Sequence, residues 1–182
     1  MAPKEKEAAK ALHGAAVKKI PVSVWNEQLL NSANGGDIWG VKDALKNGAD
    51  VNAKVEHLGQ TALMAAALGG HADIVEVLMK EEKLEYDAQN MHGDTALMQA
   101  AVAGHADVAE SLIKKADVEI QNNDGRTALM MAAVSGHLDV VKPLAEKADI
   151  TATNKKGETA LKLAAKEGHT EVVKFLKKPK AK

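Results

Sequence analysis

The chain has 182 residues and a formal net charge of −1; 46% of it is apolar, only 2% is aromatic, and there is no Cys. Disulfides and Cys-based metal sites are excluded, and no apolar run approaches the roughly 20 residues that cross a membrane as a helix. The length suits one ordinary domain or one short solenoid, with a core built from Ala, Leu, Val, Ile and Met.

The first twenty residues carry a net charge of +3 and the last seventeen, 166–182, carry +4, so the body between them carries −8. An acidic body with basic ends favours, for the body, basic protein partners over nucleic acid. The start is Ala-rich, with Lys4, Glu5, Lys6 and Glu7 and no apolar block after them, which does not read as a secretory signal. A mitochondrial address would favour Arg and avoid acids, yet Arg126 is the only Arg. Residues 1–22 are expected to form an extension, partly helical or disordered, because Gly14 and Pro21 interrupt it. Ser23 is placed to cap a following helix that contains Trp25 and Leu29.

From residue 61 onward one block recurs four times: Thr61-Ala62-Leu63-Met64, Thr95-Ala96-Leu97-Met98, Thr127-Ala128-Leu129-Met130 and Thr159-Ala160-Leu161-Lys162. Each copy is followed at a fixed offset by Gly-His and an acid: Gly70-His71 with Asp73, Gly104-His105 with Asp107, Gly136-His137 with Asp139, and Gly168-His169 with Glu171. The four His residues are 34, 32 and 32 apart. This period predicts a stack of small units, none of which buries its apolar face alone.

One unit, residues 95–126, shows how each is built. The hydroxyl of Thr95 satisfies a free N–H at a helix start, and Leu97, Ala100 and Ala101 form one apolar face. Gly104 ends that helix by adopting the left-handed conformation. A second helix opens at His105, with Asp107 in its first turn where the helix dipole favours an acid. Val108, Ala109, Leu112 and Ile113 give it an apolar stripe, with Glu110 and Lys114 paired at i, i+4 on the solvent side. An extended finger follows, with a polar turn at Asn122-Asn123-Asp124-Gly125. Pro143 falls inside the second helix of the next unit, where it costs about 3 kcal/mol in a helix interior and predicts the weakest element of the stack.

Asp-Gly-x-Thr-x-Leu, Ala-Ala-x-x-Gly-His and acid-Val-Val, in register, resemble the ankyrin repeat. Leu29, Ala33, Gly36, Val41, Leu45 and Gly48-Ala49-Asp50-Val51-Asn52-Ala53 fit a first, capping repeat, with Asp37 where His stands later. The resemblance covers about residues 25–178. It implies an all-α ankyrin-repeat solenoid of stacked helix-turn-helix units with β-hairpin-like fingers, one capping repeat plus four repeats, over residues 23–178. Ala stands where the family has the Pro of Thr-Pro-Leu-His, and Met64, Met98, Met130 or Lys162 where it has the His. The three Met residues are expected to pack where that His would bridge repeats.

The four Gly-His residues cannot share a metal. Equivalent positions of stacked helices lie roughly 10 Å apart, whereas zinc ligands sit about 2 Å from the ion. They read as helix-start residues bonding to backbone. His57 and His92, on neighbouring finger tips, make a poor site alone, and no metal or cofactor is expected. Gly-x-Ser-x-Gly, a phosphate loop and His-Glu-x-x-His are all absent, so no enzyme is expected. Lys177-Lys178-Pro179-Lys180 looks like a short import signal, against the commoner reading of a solubilising tail; residues 179–182 are expected to be disordered. A cytoplasmic address, with the nucleus as the alternative, is the expected reading, with a monomer, no small-molecule substrate and no membrane span.

The resemblance implies that a protein partner is gripped by finger tips and by the exposed ends of the first helices. Those tips hold Leu58 and Gln60; Met91, His92 and Asp94; Asn123, Asp124 and Arg126; and Lys155, Lys156 and Glu158. The helix ends hold Leu68, Val102 and Val134, expected as an apolar strip on the concave face, with the alternative that they are core. The expected function is a non-enzymatic adaptor, inhibitor or assembly factor. A permanent subunit of a larger complex is the alternative, and nucleic-acid or membrane-surface contact through the Lys-rich ends comes third.

Overall fold

The structure, a computed structural model, describes residues 20–178. Residues 1–19 of the expected extension over residues 1–22, and the basic tail over residues 179–182, lie outside it. Ten helices pair into five antiparallel hairpins among the described residues: α1 (Val22–Gly35) with α2 (Ile38–Lys46), α3 (Ala62–Gly69) with α4 (Ala72–Leu78), α5 (Ala96–Ala103) with α6 (Ala106–Leu112), α7 (Ala128–Ser135) with α8 (Leu138–Lys147), and α9 (Ala160–Lys166) with α10 (Thr170–Leu176). The odd-numbered helices form an inner layer and the even-numbered an outer one. Successive inner helices pack closely and successive outer helices touch lightly, so the stack is tighter on its inner side. Ala at 62, 65, 66, 67, 96, 100, 101, 128, 132 and 133, all buried, permits that close approach. One continuous apolar cluster runs from Leu29 to Leu176.

The repeated block explains each inner helix. Thr61, Thr95, Thr127 and Thr159 are N-caps in extended backbone; their Oγ1 atoms accept from the N–H of Met64, Met98, Met130 and Lys162 at 3.3, 3.3, 3.4 and 3.3 Å. Met64, Met98 and Met130 are buried between repeats, whereas Lys162 in the last hairpin is exposed. A thioether suits the enclosed position and an ammonium suits the exposed one.

The Gly-His pair links one hairpin to the one before it. His105 Nε2 lies 3.1 Å from the Leu68 carbonyl oxygen, His137 Nε2 lies 3.1 Å from that of Val102, and His169 Nε2 lies 2.7 Å from that of Val134. Since a carbonyl only accepts, Nε2 carries the proton in each. Each ring also covers the preceding hairpin's Gly: a Cβ built on Gly104, at φ 82°, would lie 2.6 Å from His137 Nδ1. A Cβ built on Gly168, at φ 79°, would meet nothing within 4 Å among the described residues. The first described hairpin departs from this pattern. There Asp37 replaces His and caps its own helix, accepting from Trp39 N and Gly40 N at 3.1 and 3.0 Å.

On the opposite edge, side chains of one hairpin bind the backbone of the next. Asn52 Oδ1 accepts from Glu85 N at 2.9 Å, Asp87 Oδ1 from Asp117 N at 2.9 Å, and Glu119 Oε1 from Asp149 N at 2.7 Å. Two of the body's acids, Asp87 and Glu119, thus satisfy loop N–H groups that lack helix partners.

Three local expectations need correction. Ser23 is not a cap: α1 starts at Val22 behind Pro21, whose φ of −59° already sets helical entry, and no side chain caps it. Glu110 and Lys114 form no ion pair; α6 ends at Leu112, so the helical register that would join them stops short. The fingers are tight turns, with one isolated β-bridge, Lys54 to Thr61, among the described residues. The outer helix carrying Pro143 does start at Leu138 and runs ten residues, longer than α4, α6 or α10 at seven each.

Candidate functional site

Asn organises three of the four fingers. Asn90 Oδ1 accepts from the N–H of His92 and Asp94, both at 2.9 Å. Asn122 Oδ1 does so from Asp124 and Arg126 at 3.0 Å, and Asn154 Oδ1 from Lys156 and Glu158 at 2.9 Å. A short amide satisfies two loop N–H groups at once and fixes the turn. Successive fingers are then tied backbone to backbone: Met91 N to Leu58 O at 3.1 Å, Asn123 N to His92 O at 2.9 Å, and Lys155 N to Asp124 O at 3.0 Å. The finger tips therefore form one ordered row, Leu58, His92, Asp124, Lys156 along one line and His57, Met91, Asn123, Lys155 along the next.

The predicted residues divide by exposure. Leu58 is 48% exposed, Met91 56% and Leu68 42%; His92, Asn123, Asp124, Lys155 and Lys156 are also exposed. Gln60, Asp94, Val102, Arg126 and Val134 are half-buried, and Val134 packs against the core. Glu158 is buried. Several of the predicted tip groups are spent inside the protein. Asp94 Oδ1 accepts from Asn122 Nδ2 at 2.7 Å, and Asn123 Nδ2 donates to the Met91 carbonyl at 2.9 Å. Glu158 Oε2 accepts from Asn154 Nδ2 at 3.1 Å, and its Oε1 lies 3.6 Å from Lys166 Nζ. The Asn154 hydrogen bond, with Lys166 and Lys162 nearby, holds the Glu158 carboxyl below its ordinary value. The apolar strip on the inner-helix ends is thus open at Leu68 and progressively closed at Val102 and Val134, while Lys166 at the same position is exposed.

Three exposed residues escaped the sequence reading. Val55, 38% exposed, extends the apolar end of the finger row. Lys162 joins the basic end. Trp39 is 76% exposed on α2, with Lys42 Nζ 5.4 Å from its ring centroid. In register, Trp39 stands where the later outer helices carry Asp73, Asp107, Asp139 and Glu171, each in a first turn. That alignment was available in the sequence and marks the position as a solvent one.

Among the described residues no group of three or more His, Asp or Glu could hold a metal ion, and no helix is long and apolar enough to cross a membrane. Nothing in the finger row provides a nucleophile with an adjacent base; what it offers chemically is shaped apolar and charged surface.

Comparison with known proteins agrees with this architecture. The family described as ankyrin repeats (3 copies) matches residues 29–124 and again residues 110–182. A protein of Rickettsia felis named as an ankyrin repeat protein is 34% identical over 62 residues, which are 34% of this chain and 97% of that one. Repeats of this family generally serve protein–protein interaction. The chain, an all-α solenoid with the repeated Thr-capped and His-linked hairpins, belongs to the ankyrin repeat family.

Proposed function

We propose that this chain is a non-enzymatic binding module that captures a protein partner on its inner, concave side, along the finger row and the open ends of the inner helices. The observation that carries the reading is the finger row itself. Its turns are fixed by Asn90, Asn122 and Asn154, its tips are cross-linked by backbone hydrogen bonds, and yet Leu58, Met91 and Leu68 stay open to solvent. A rigid surface loses little conformational freedom on association, and exposed apolar side chains gain from being covered. Adaptor, inhibitor and assembly-factor roles all use such a surface.

Changing Leu68 and Met91, both open to solvent, together to Glu tests the reading. The outward position of Leu68 predicts a small stability change, about 1 kcal/mol or less, with partner capture from an extract of the source cell falling at least tenfold. Undiminished capture would place the interface elsewhere. The alternative of a permanent subunit draws on a different observation, the bare Trp39 ring on the outer side. It predicts that the isolated chain self-associates or precipitates, and that Trp39→Ser restores a single monomeric species in sedimentation.

A further inference from the structure

Charge is distributed along the stack in one direction. Residues 20–126 carry a net −9 and residues 127–178 a net +3. The finger row follows the same direction with different chemistry. Four of the exposed large apolar residues, Val55, Leu58, Leu68 and Met91, lie on its first two fingers and the first full inner helix. Asp124 follows at the third finger. Lys155 and Lys156 follow at the fourth, with Lys162 and Lys166 on α9 directly behind it. Glu158 is the one carboxylate of that finger, and it is buried and already engaged by Asn154 and Lys166. Among the described residues Lys155, Lys156 and Lys162 make no ion pair, nor does Arg126, whose buried Nε has no hydrogen-bond partner. Asp87 and Glu119 are engaged by loop N–H groups away from the finger tips, and none of the three ion pairs among the described residues joins an acid of the first three hairpins to Lys155, Lys156, Lys162 or Lys166.

We infer that the partner, on the concave-face reading above, is an extended protein segment with an apolar cluster at one end and a run of Asp or Glu at the other. Its apolar side chains cover Leu58, Met91 and Leu68, and its carboxylates meet Lys155, Lys156, Lys162 and Lys166. Spacing follows from the stack. Successive fingers are about 10 Å apart, so Met91 to Lys155 spans about 20 Å and Leu58 to Lys156 about 30 Å. At about 3.3 Å per extended residue the two ends of the segment are separated by about six to nine residues. Asp124, between them, repels an acidic group placed one finger too early and so fixes the register. Polarity of the row fixes the direction of the bound chain.

The test is selection of a random sixteen-residue peptide library on the full chain, followed by fluorescence anisotropy of resynthesised winners. The expected winners pair an apolar cluster with two or more acids six to nine residues away. Their affinity should fall at least tenfold with Lys155→Glu plus Lys156→Glu, fall likewise with Leu58→Ser plus Met91→Ser, and weaken with added salt. Both double variants lie on exposed positions, and an unchanged thermal melt confirms that they fold. Winners without acid enrichment that still depend on Leu58 and Met91 would overturn the partner chemistry while leaving the concave-face reading intact. Winners indifferent to both double variants, or no winners at all, would overturn the two together.

Discussion

A left-handed Gly serves two purposes at the inner-helix ends, and the last hairpin separates them. Gly104 and Gly168 both adopt positive φ, but only Gly104 lies under a following His ring. Gly168→Ala should cost about 1–2 kcal/mol of conformational strain. Gly104→Ala should cost that and more, because its Cβ would displace His137 and break the bond to the Val102 carbonyl, worth about another 1 kcal/mol. Urea denaturation of the two variants checks the difference; equal losses would show that the ring moves freely. Glu158 gives a second residue-scale expectation. Its carboxyl is held below the ordinary value, so the ionised form favours the fold. That contribution is complete above the unfolded Glu value of about 4.3 and is lost as pH falls through the lower folded value. Glu158→Gln should therefore lower the melting temperature at neutral pH, and the gap from the parent should close as pH falls. A gap independent of pH would assign the effect to packing instead. At this scale the sequence was legible where one residue answers to its own helix, as with the Thr caps; the Asp37 cap was not read from it, although its place in register was. It was less so for His, whose bond runs to a carbonyl 35 to 37 residues back; the period implied a backbone partner but not which one.

Among the elements, α8 is the exception to a regular series. Pro143 is its sixth residue, past the first turn, where it has no N–H to give the Asp139 carbonyl. The helix nonetheless continues to Lys147, because Val140, Val141, Leu144 and Ala145 are all buried against the stack. Tertiary burial of about 1.5–3 kcal/mol per large apolar side chain outweighs the local penalty of about 3 kcal/mol. Pro143→Leu should raise the melting temperature and slow amide exchange across residues 127–176, since neighbouring repeats share their stability. Unchanged exchange, with a neutral or lower melting temperature, would show that the helix already accommodates the ring. Helix existence and order were legible because caps, stripes and left-handed Gly recur in register. Helix ends were less so: α1 starts at Val22, where Pro21 overrides the expected Ser23 cap, and α6 stops before Lys114.

Across the whole molecule, the solenoid converts a repeat into an address. Equivalent positions share a structural environment, so whatever differs between them is free to specify a partner: Leu58, His92, Asp124 and Lys156 at one tip position, Leu68, Val102, Val134 and Lys166 at one helix end. The sequence disclosed which positions are equivalent, and with them the tip residues of the row, though not Val55 or Lys162 beside them. It did not disclose that Glu158 and Asp94 are consumed by Asn154 and Asn122, because those bonds depend on how one finger meets itself or its neighbour. The central claim is that the finger row, and not the outer side, meets the partner. A photo-crosslinking residue placed in turn at Met91, Leu58, Glu76 and Glu110 tests it most directly, with the full chain in an extract of its source cell. The account predicts a discrete protein adduct from Met91 and Leu58 and none from Glu76 or Glu110, both of which lie exposed on outer helices. Adducts from the outer positions, with none from the finger tips, would contradict it.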